Sequence, residues 1–119
     1  MRGITSLKNY AEFKRVYDGK RSYGTRCLVM YIAENDTGDV RIGISVSKKV
    51  GNSIVRHHIT RLIRESYRLN KETVHENFRT GYDIIFVARP AAADKGYRDI
   101  EESMLYLVNK AKQDIPDRS

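Results

Sequence analysis

The sequence has little of several features that would point to a specific class of protein. It contains one cysteine, Cys27, two prolines and no tryptophan in 119 residues. A single cysteine excludes an intrachain disulfide framework and a zinc site made only of cysteines. No apolar run approaches the ~18 residues that cross a bilayer, and the N-terminus lacks the apolar core of a signal peptide. We therefore expect one cytoplasmic domain over residues 1–119, with residues 115–119 as a loose tail.

Acidic residues are scarce in one segment of the chain. Lys and Arg total 22 against 15 Asp and Glu, which gives a net charge of +7. Residues 41–71 contain eight basic residues and one acid, Glu65, so they carry the whole excess, and the rest of the chain holds 14 charges of each sign. The eight are Arg41, Lys48, Lys49, Arg56, Arg61, Arg64, Arg68 and Lys71. Such segregation indicates a polyanionic partner, most often a nucleic acid, with an anionic membrane surface as the lesser alternative.

The first half of the chain predicts a helix and two strands. The helix covers Leu7 to Asp18, with Ser6 as its N-cap and Gly19 at its end. Residues 27–33 are apolar and rich in β-branched side chains, which predicts a strand. After a polar turn, residues 40–47 alternate between an apolar face and a face that can meet a ligand. We expect the two strands to pair as an antiparallel hairpin.

The second half supplies a long helix, a buried strand and a closing helix. Asn52 or Ser53 caps the long helix, which continues to about Asn70. Residues 82–88 form a buried strand that Arg89-Pro90 ends. The closing helix has one apolar face, made of Tyr97, Ile100, Met104, Leu107, Val108 and Ala111. The predicted order is α-β-β-α-β-α, with the helices on one face of a small sheet and a weakly indicated extra strand within residues 20–26. The fold class is therefore α/β (α+β), a two-layer sandwich.

The long helix has two distinct faces. At about 100° per residue, its core-facing stripe consists of Val55, Ile59, Leu62, Ile63 and Ser66. The opposite face carries His57, Thr60, Arg61, Arg64, Arg68 and Lys71. Like charges at spacings of three and four repel, so this face is expected to bind phosphates. Cations and a glycine turn also precede the helix, at the positive end of its dipole: Lys48, Lys49, Gly51 and Asn52.

Aromatic residues near the N-terminus suit either a core or a nucleic acid. Tyr10, Phe13 and Tyr17 share one side of the first helix, and Tyr31 lies in the first strand. Unpaired bases stack on exposed rings, whereas buried rings fill a core. The spacing by itself leaves both alternatives open for each ring.

The stretch from Val46 to Arg68 resembles the signature of the bacterial ribonuclease P protein subunit. It reads Val-Ser-Lys-Lys-Val-Gly-Asn-Ser-Ile-Val-Arg-His-His-Ile-Thr-Arg-Leu-Ile-Arg-Glu-Ser-Tyr-Arg. The similarity extends to residues 9–13 of the first helix, to residues 41–46, to the strand that ends at Arg89 and to the closing amphipathic helix. It therefore covers nearly the whole chain.

The resemblance implies a protein that binds a large catalytic RNA, which itself removes the 5′ leader from precursor tRNA with Mg²⁺. It also implies a mixed sheet with a left-handed βαβ crossover, against the usual right-handed preference. Matched residue by residue, the RNA-binding residues are Lys48, Lys49, Asn52, Arg56, Arg61 and Arg64. We add His57 and Arg68 of the same helix to this RNA-binding set. The leader-binding set is Phe13, Tyr17 and Tyr31. No catalytic residue of the protein is implied, and which residues touch metal ions stays open.

Three positions depart from the family pattern. The family commonly has Asn, Arg and Lys where this chain has His57, His58 and Thr60. The central Arg-Asn-Arg signature is therefore only one-third intact. The roles of these three positions stay open.

A nuclease site carried by the protein itself finds little support in the sequence. Such a site needs clustered carboxylates for two metals, or a histidine pair with acid and base geometry. Asp36 and Asp39 lie in a turn, and Asp83 is isolated in the sequence. His57 and His58 are adjacent, so on a helix they diverge by about 100°.

Two further alternatives concern the nucleic-acid partner. A DNA-binding helix-turn-helix fits poorly because the basic helix follows a strand rather than a partner helix. A ribosomal or general RNA-binding protein is the main alternative, since charge does not distinguish one RNA from another. The expected partners are the catalytic RNA and precursor tRNA, with Mg²⁺ bound together with the RNA, no membrane and no obligatory protein partner.

Overall fold

The computed structural model describes residues 5–115, so the predicted tail falls outside the described residues except for Ile115. The elements in chain order are α1 (Tyr10–Asp18), β1 (Ser22–Gly24), β2 (Leu28–Glu34), β3 (Val40–Ser45), α2 (Ser53–Leu69), α3 (Lys71–Asn77), β4 (Tyr82–Ala88), a 3-10 turn (Pro90–Asp94) and α4 (Tyr97–Asp114). The α+β fold class is confirmed. The structure adds two short elements to the predicted order: β1, which the sequence indicated weakly, and α3, which it did not indicate.

The four strands form one mixed sheet in the order β1-β2-β4-β3. β2 is antiparallel to β1 and β4, whereas β3 is parallel to β4. The predicted hairpin between β2 and β3 is therefore wrong, because β4 lies between them. The reason is burial: all residues of β4 except Val87 are buried, which requires the central position with both faces covered.

The two faces of the sheet carry different helices. Alternate residues such as Ile32, Ile42 and Ile84 pack into the main core with α2 and α4. The opposite face carries Ile85, which is buried with Leu7 and with Val16 of α1 in a second, smaller cluster. The expectation that all helices pack on one face is thus wrong for α1. This helix covers only part of its face, because Val29 and Val87 on the same face are only half-buried.

The chain before α1 pairs with the sheet instead of extending the helix. Asn9 is the N-cap of α1, and Glu12 completes a capping box with it. The backbone N–H of Leu7 donates to Ile42 O at 2.9 Å, and Ile42 N–H donates to Thr5 O at 2.9 Å. The predicted start at Leu7 with Ser6 as N-cap is therefore wrong, since this segment adds a short parallel bridge to β3.

The long helix α2 follows its prediction closely. The Asn52 side chain accepts a hydrogen bond from Val55 N–H at 3.0 Å, which identifies the N-cap. The predicted apolar stripe faces the core, where Ile59 and Ile63 are fully buried together with Tyr67. The helix ends before Asn70, whose side chain donates to Ser66 O at 2.8 Å and to Glu101 Oε2 at 2.9 Å. The apolar face of α4 is also confirmed.

Candidate nucleic-acid interface

The outer face of α2 presents several exposed cations. His57, Arg61 and Arg64 are exposed along a surface groove that the helix side chains line. Lys48 and Lys49 are exposed in the turn before the helix. Within residues 5–115, none of the basic side chains at positions 48, 49, 61 and 64 takes part in an ion pair or a side-chain hydrogen bond. Their charges are therefore directed at solvent, where a polyanion can reach them.

Two members of the predicted RNA-binding set have partly structural surroundings. Asn52 uses its side-chain oxygen as the helix cap. Arg56 is half-buried, and its Nε is buried without a hydrogen-bond partner within residues 5–115. A buried guanidinium donor that lacks a partner is costly, so an incoming acceptor at Arg56 would remove a penalty as well as add a contact.

Arg68 is the member of the set whose charge is already partly matched. Its Nε donates to Glu65 Oε2 at 3.1 Å. The hydrogen bond from Arg68 holds the pKa of Glu65 below its usual value. Both side chains are about half exposed, so the pair is weak and a phosphate can compete for the guanidinium.

The three predicted leader-binding rings meet on the opposite face of the sheet. Phe13 and Tyr17 come from α1 and Tyr31 from β2, and all three are half-buried against Ile85. The Tyr17 and Tyr31 rings stand edge to face with their centroids 4.9 Å apart. Burial raises the pKa of the Tyr17 hydroxyl, outweighing a hydrogen bond with Ser45 that lowers it. The rings therefore belong partly to the second core cluster and partly to the surface beside α1, and we call the surface made by these three rings the cleft.

Gly43 allows the Phe13 ring to pack directly against the backbone of β3. A Cβ at this position would lie 2.7 Å from two ring atoms of Phe13. Any side chain on residue 43 would therefore push the ring away from β3. The alternation of residues 40–47 predicted that one face of this strand could meet a ligand, and Gly43 lies on that face. Gly43 is buried in the structure because the Phe13 ring covers its backbone.

A buried carboxylate fastens α1 to the sheet. Asp83 is fully buried and accepts hydrogen bonds from Arg15 Nη2 at 2.5 Å, Arg41 Nε at 2.7 Å and Asn35 Nδ2 at 2.8 Å. Arg41 also reaches Glu12 Oε2 at 3.0 Å. Burial by itself raises the pKa of Asp83, but these hydrogen bonds together hold it below its ordinary value. The structure corrects two expectations from the sequence. Asp83 is not isolated, and Arg41, which was counted in the excess positive charge, is neutralised within the fold.

The acidic and histidine side chains of the described residues are not clustered. Within residues 5–115, no group of three or more His, Cys, Asp or Glu side chains is placed to hold a metal ion. The most buried carboxylate, Asp83, already has arginine and asparagine partners. His75 lies on α3, with its Nε2 2.9 Å from the hydroxyl of Tyr67. None of the helices in this part of the chain is long and apolar enough to cross a membrane.

A cationic helix on one side and an aromatic cleft on the other define a small basic α+β protein with a surface suited to a nucleic acid. The sequence profile of the family described as Ribonuclease P matches residues 1–112. The chain belongs to this family.

Relatives and solved structures agree with this assignment. The chain is 46% identical over 105 residues to the ribonuclease P protein component of Clostridium botulinum (strain Langeland), covering 88% of this chain and 92% of that protein. It is 45% identical over 117 residues to the corresponding protein of Lachnoclostridium phytofermentans, covering 96% and 97%. The structure of the RNase P protein of Staphylococcus aureus superimposes with a TM-score of 0.80 at 34% identity, covering 92% of this chain and 97% of that one.

Proposed function

We propose that this chain is the protein subunit of a ribonucleoprotein endoribonuclease that matures the 5′ end of tRNA. In this proposal the chain binds the catalytic RNA and the 5′ leader of precursor tRNA, and the RNA subunit carries out the cleavage. The observation that carries the proposal is the presence of two surfaces on one small domain. One consists of the α2 cations Arg61 and Arg64, which form no ion pair within residues 5–115, and the other of three half-buried rings on the opposite face of the sheet.

The α2 surface supports binding of a folded RNA. Guanidinium groups bind phosphates through forked hydrogen bonds, and among residues 5–115 Arg61 and Arg64 have no acceptor to release first. The lysines at positions 48 and 49 extend the cationic surface beyond the helix start. Phosphate contacts of this kind supply affinity with little sequence preference.

The cleft supports binding of a single strand. The rings of Phe13, Tyr17 and Tyr31 are partly exposed, so unpaired bases can stack on them. A mature tRNA has no leader and would gain nothing from these rings. The cleft therefore gives the protein a means to favour substrate over product.

Mg²⁺ belongs to the RNA in this proposal, because the described residues offer no ligand cluster for it. When bound to RNA, the ion supplies the activated water and charge neutralisation that phosphodiester cleavage requires. The contribution of the protein is electrostatic: its cations offset repulsion between the enzyme RNA and the substrate RNA. The cytoplasm is the location that this proposal expects.

Reconstitution with a ribonuclease P RNA tests the proposal. At low Mg²⁺ and moderate salt, we expect the protein to be required for cleavage and to tighten binding of precursor tRNA more than of mature tRNA. The protein alone with Mg²⁺ should leave precursor tRNA intact. Specific leader removal by highly purified, RNA-free protein would contradict the assignment of the chemistry to RNA.

The general RNA-binding alternative predicts a different set of bound RNAs. Sequencing of RNA that copurifies with the protein from its source cells should yield one dominant, highly structured RNA. A population dominated by ribosomal RNA would favour the alternative.

A further inference from the structure

A notch of about 170 Å³ opens at the free edge of β3, between the two surfaces described above. It is bounded by the chain before α1, by α1, by β3 and by α2, and its lining includes Leu7, Phe13, Ile44, Thr60, Arg64 and Tyr67. Thr60 and Arg64 also line the outer groove of α2, and Phe13 belongs to the cleft. The notch is therefore the place where the cationic surface and the aromatic surface meet.

The backbone of Ile44 is directed into this notch. Ile42 uses both of its backbone groups on the outer edge of β3, where they bond to Thr5 and Leu7 at 2.9 Å. Backbone groups alternate between the two edges of a strand with a period of two, so the N–H and C=O of Ile44 point to the same outer edge. The preceding chain leaves this edge after Leu7 to enter α1, and within residues 5–115 no loop or turn backbone group bonds to Ile44. The edge offers one donor and one acceptor side by side.

The side chains around this edge add three kinds of contact. The Phe13 ring lies against the backbone of Gly43 and supplies an aromatic wall. The Thr60 hydroxyl donates to Arg56 O at 2.9 Å, so its oxygen remains able to accept a hydrogen bond. Arg64 also lines the notch, and it is an exposed residue. A ring wall, a donor–acceptor edge and a cation match the base, the base edge and the phosphate of one nucleotide.

We propose that the notch binds a single unpaired nucleotide of an RNA, with the base edge on the backbone of Ile44 and the phosphate on Arg64. This inference rests on the proposed function, because it assumes an RNA that reaches both α2 and the cleft. Thr60, which has a short side chain, lines the notch together with Ile44. The source of the nucleotide is either the leader or the catalytic RNA.

Backbone amide NMR of the free protein tests the site directly. The probes are the four nucleoside 5′-monophosphates, with ribose 5-phosphate as the control that lacks a base. We expect at least one nucleotide to shift the amides of Ile44 and Thr60, and ribose 5-phosphate to leave Ile44 unshifted. Equal shifts with ribose 5-phosphate, shifts confined to the strand around Tyr31, or no shift at Ile44 would each overturn the proposal.

The second measurement compares the nucleotide affinity of a variant whose notch is filled by a larger side chain with that of a control variant. Thr60→Leu removes the hydroxyl and adds bulk at a half-buried helix position, and Thr73→Leu makes the same change at an exposed position of α3. Thr60→Leu should weaken nucleotide binding at Ile44 roughly ten-fold, the scale of one lost base contact, while Thr73→Leu leaves it unchanged. Equal affinities for the two variants would contradict the assignment.

The holoenzyme then distinguishes the two sources and separates this inference from the proposed function. If the nucleotide comes from the leader, Thr60→Leu weakens binding of precursor tRNA and spares mature tRNA. If it comes from the catalytic RNA, the variant weakens assembly and affects both ligands equally. Normal assembly and normal leader preference of the Thr60→Leu variant would contradict only the proposed nucleotide site in the notch. Failure of the parent protein to bind ribonuclease P RNA would contradict the proposed function.

Discussion

Two pairs of arginines occupy opposite situations in this molecule. Arg15 and Arg41 converge on the buried carboxylate of Asp83, with distances of 2.5 Å and 2.7 Å to Oδ2. Arg61 and Arg64 project from α2 and meet no acidic group within residues 5–115. The first pair holds the fold together, and the second pair is available to a ligand. The comparison shows that a charge count along the sequence does not tell which cations face a partner.

The largest expected effect comes from breaking the buried set. Asp83→Ala should lower the free energy of unfolding by about 3–5 kcal/mol, because it removes the buried acceptor that Arg41 shares with Asn35 and leaves Arg41 with Glu12 alone. The matched control is Asp18→Ala, which removes an exposed aspartate paired with Lys14 and should cost about 1 kcal/mol or less. Urea unfolding measures both values. Similar losses for the two variants would remove the distinction between buried and exposed pairs.

The Asp83 set could be predicted only in part, and the reason lies in the sheet order. Arg41 and Asp83 are direct register partners once β3 is known to pair with β4. The local turn signal in residues 35–39 favoured a β2–β3 hairpin instead, because turn chemistry reports a reversal but not which strand becomes the neighbour. The capping box of Asn9 and Glu12 was readable in the sequence and would have moved the start of α1. The α2 faces were predictable because helical periodicity is local.

The pH dependence of the unfolding free energy tests the role of the Asp83 carboxylate separately. The pKa of Asp83 is lower in the folded protein than its ordinary value, so the folded state binds fewer protons at this group. Its stabilisation is complete above the unfolded-chain pKa of about 4 and is lost as the pH falls through the lower folded-state pKa. We expect unfolding free energy to decrease below about pH 4 in the parent protein. Asp83→Asn should show a shallower decrease, and identical pH profiles would contradict the role of this carboxylate.

Removing the second pair should affect RNA binding and leave folding intact. The logarithm of the affinity for catalytic RNA should fall linearly with the logarithm of salt concentration. Arg61→Ala combined with Arg64→Ala should reduce that slope by about 1.4–1.8 if each arginine neutralises one phosphate. Arg15→Ala is the matched arginine change and should leave the slope unchanged, since its charge is used by Asp83. An unchanged slope in the double variant would show that α2 does not carry the phosphate contacts.

The rings of the cleft are tested by comparing the binding of two ligands, precursor tRNA and mature tRNA. Phe13→Ala and Tyr17→Ala should each weaken binding of precursor tRNA by the holoenzyme by about 1–3 kcal/mol. Mature tRNA should bind the variants and the parent alike, because it lacks the leader. Circular dichroism checks that each variant remains folded, which matters since both rings also pack on the second core cluster. Equal losses for both ligands would assign the rings to packing alone.

The smallest expected effect concerns the two histidines near Arg61 and Arg64 on α2. His57 and His58 are exposed on α2, and within residues 5–115 neither side chain makes a hydrogen bond or an ion pair. An imidazole lacks the forked set of N–H donors that a guanidinium offers, so its phosphate contacts are weaker than those of an arginine. Replacing either histidine by Ala should therefore alter binding of catalytic RNA only a few-fold, the range expected for less than one full phosphate contact. The rate of leader removal at saturating substrate should stay the same, because the proposed chemistry belongs to the RNA. A single-turnover rate that collapses in either variant, at full occupancy, would instead place an imidazole in the cleavage step.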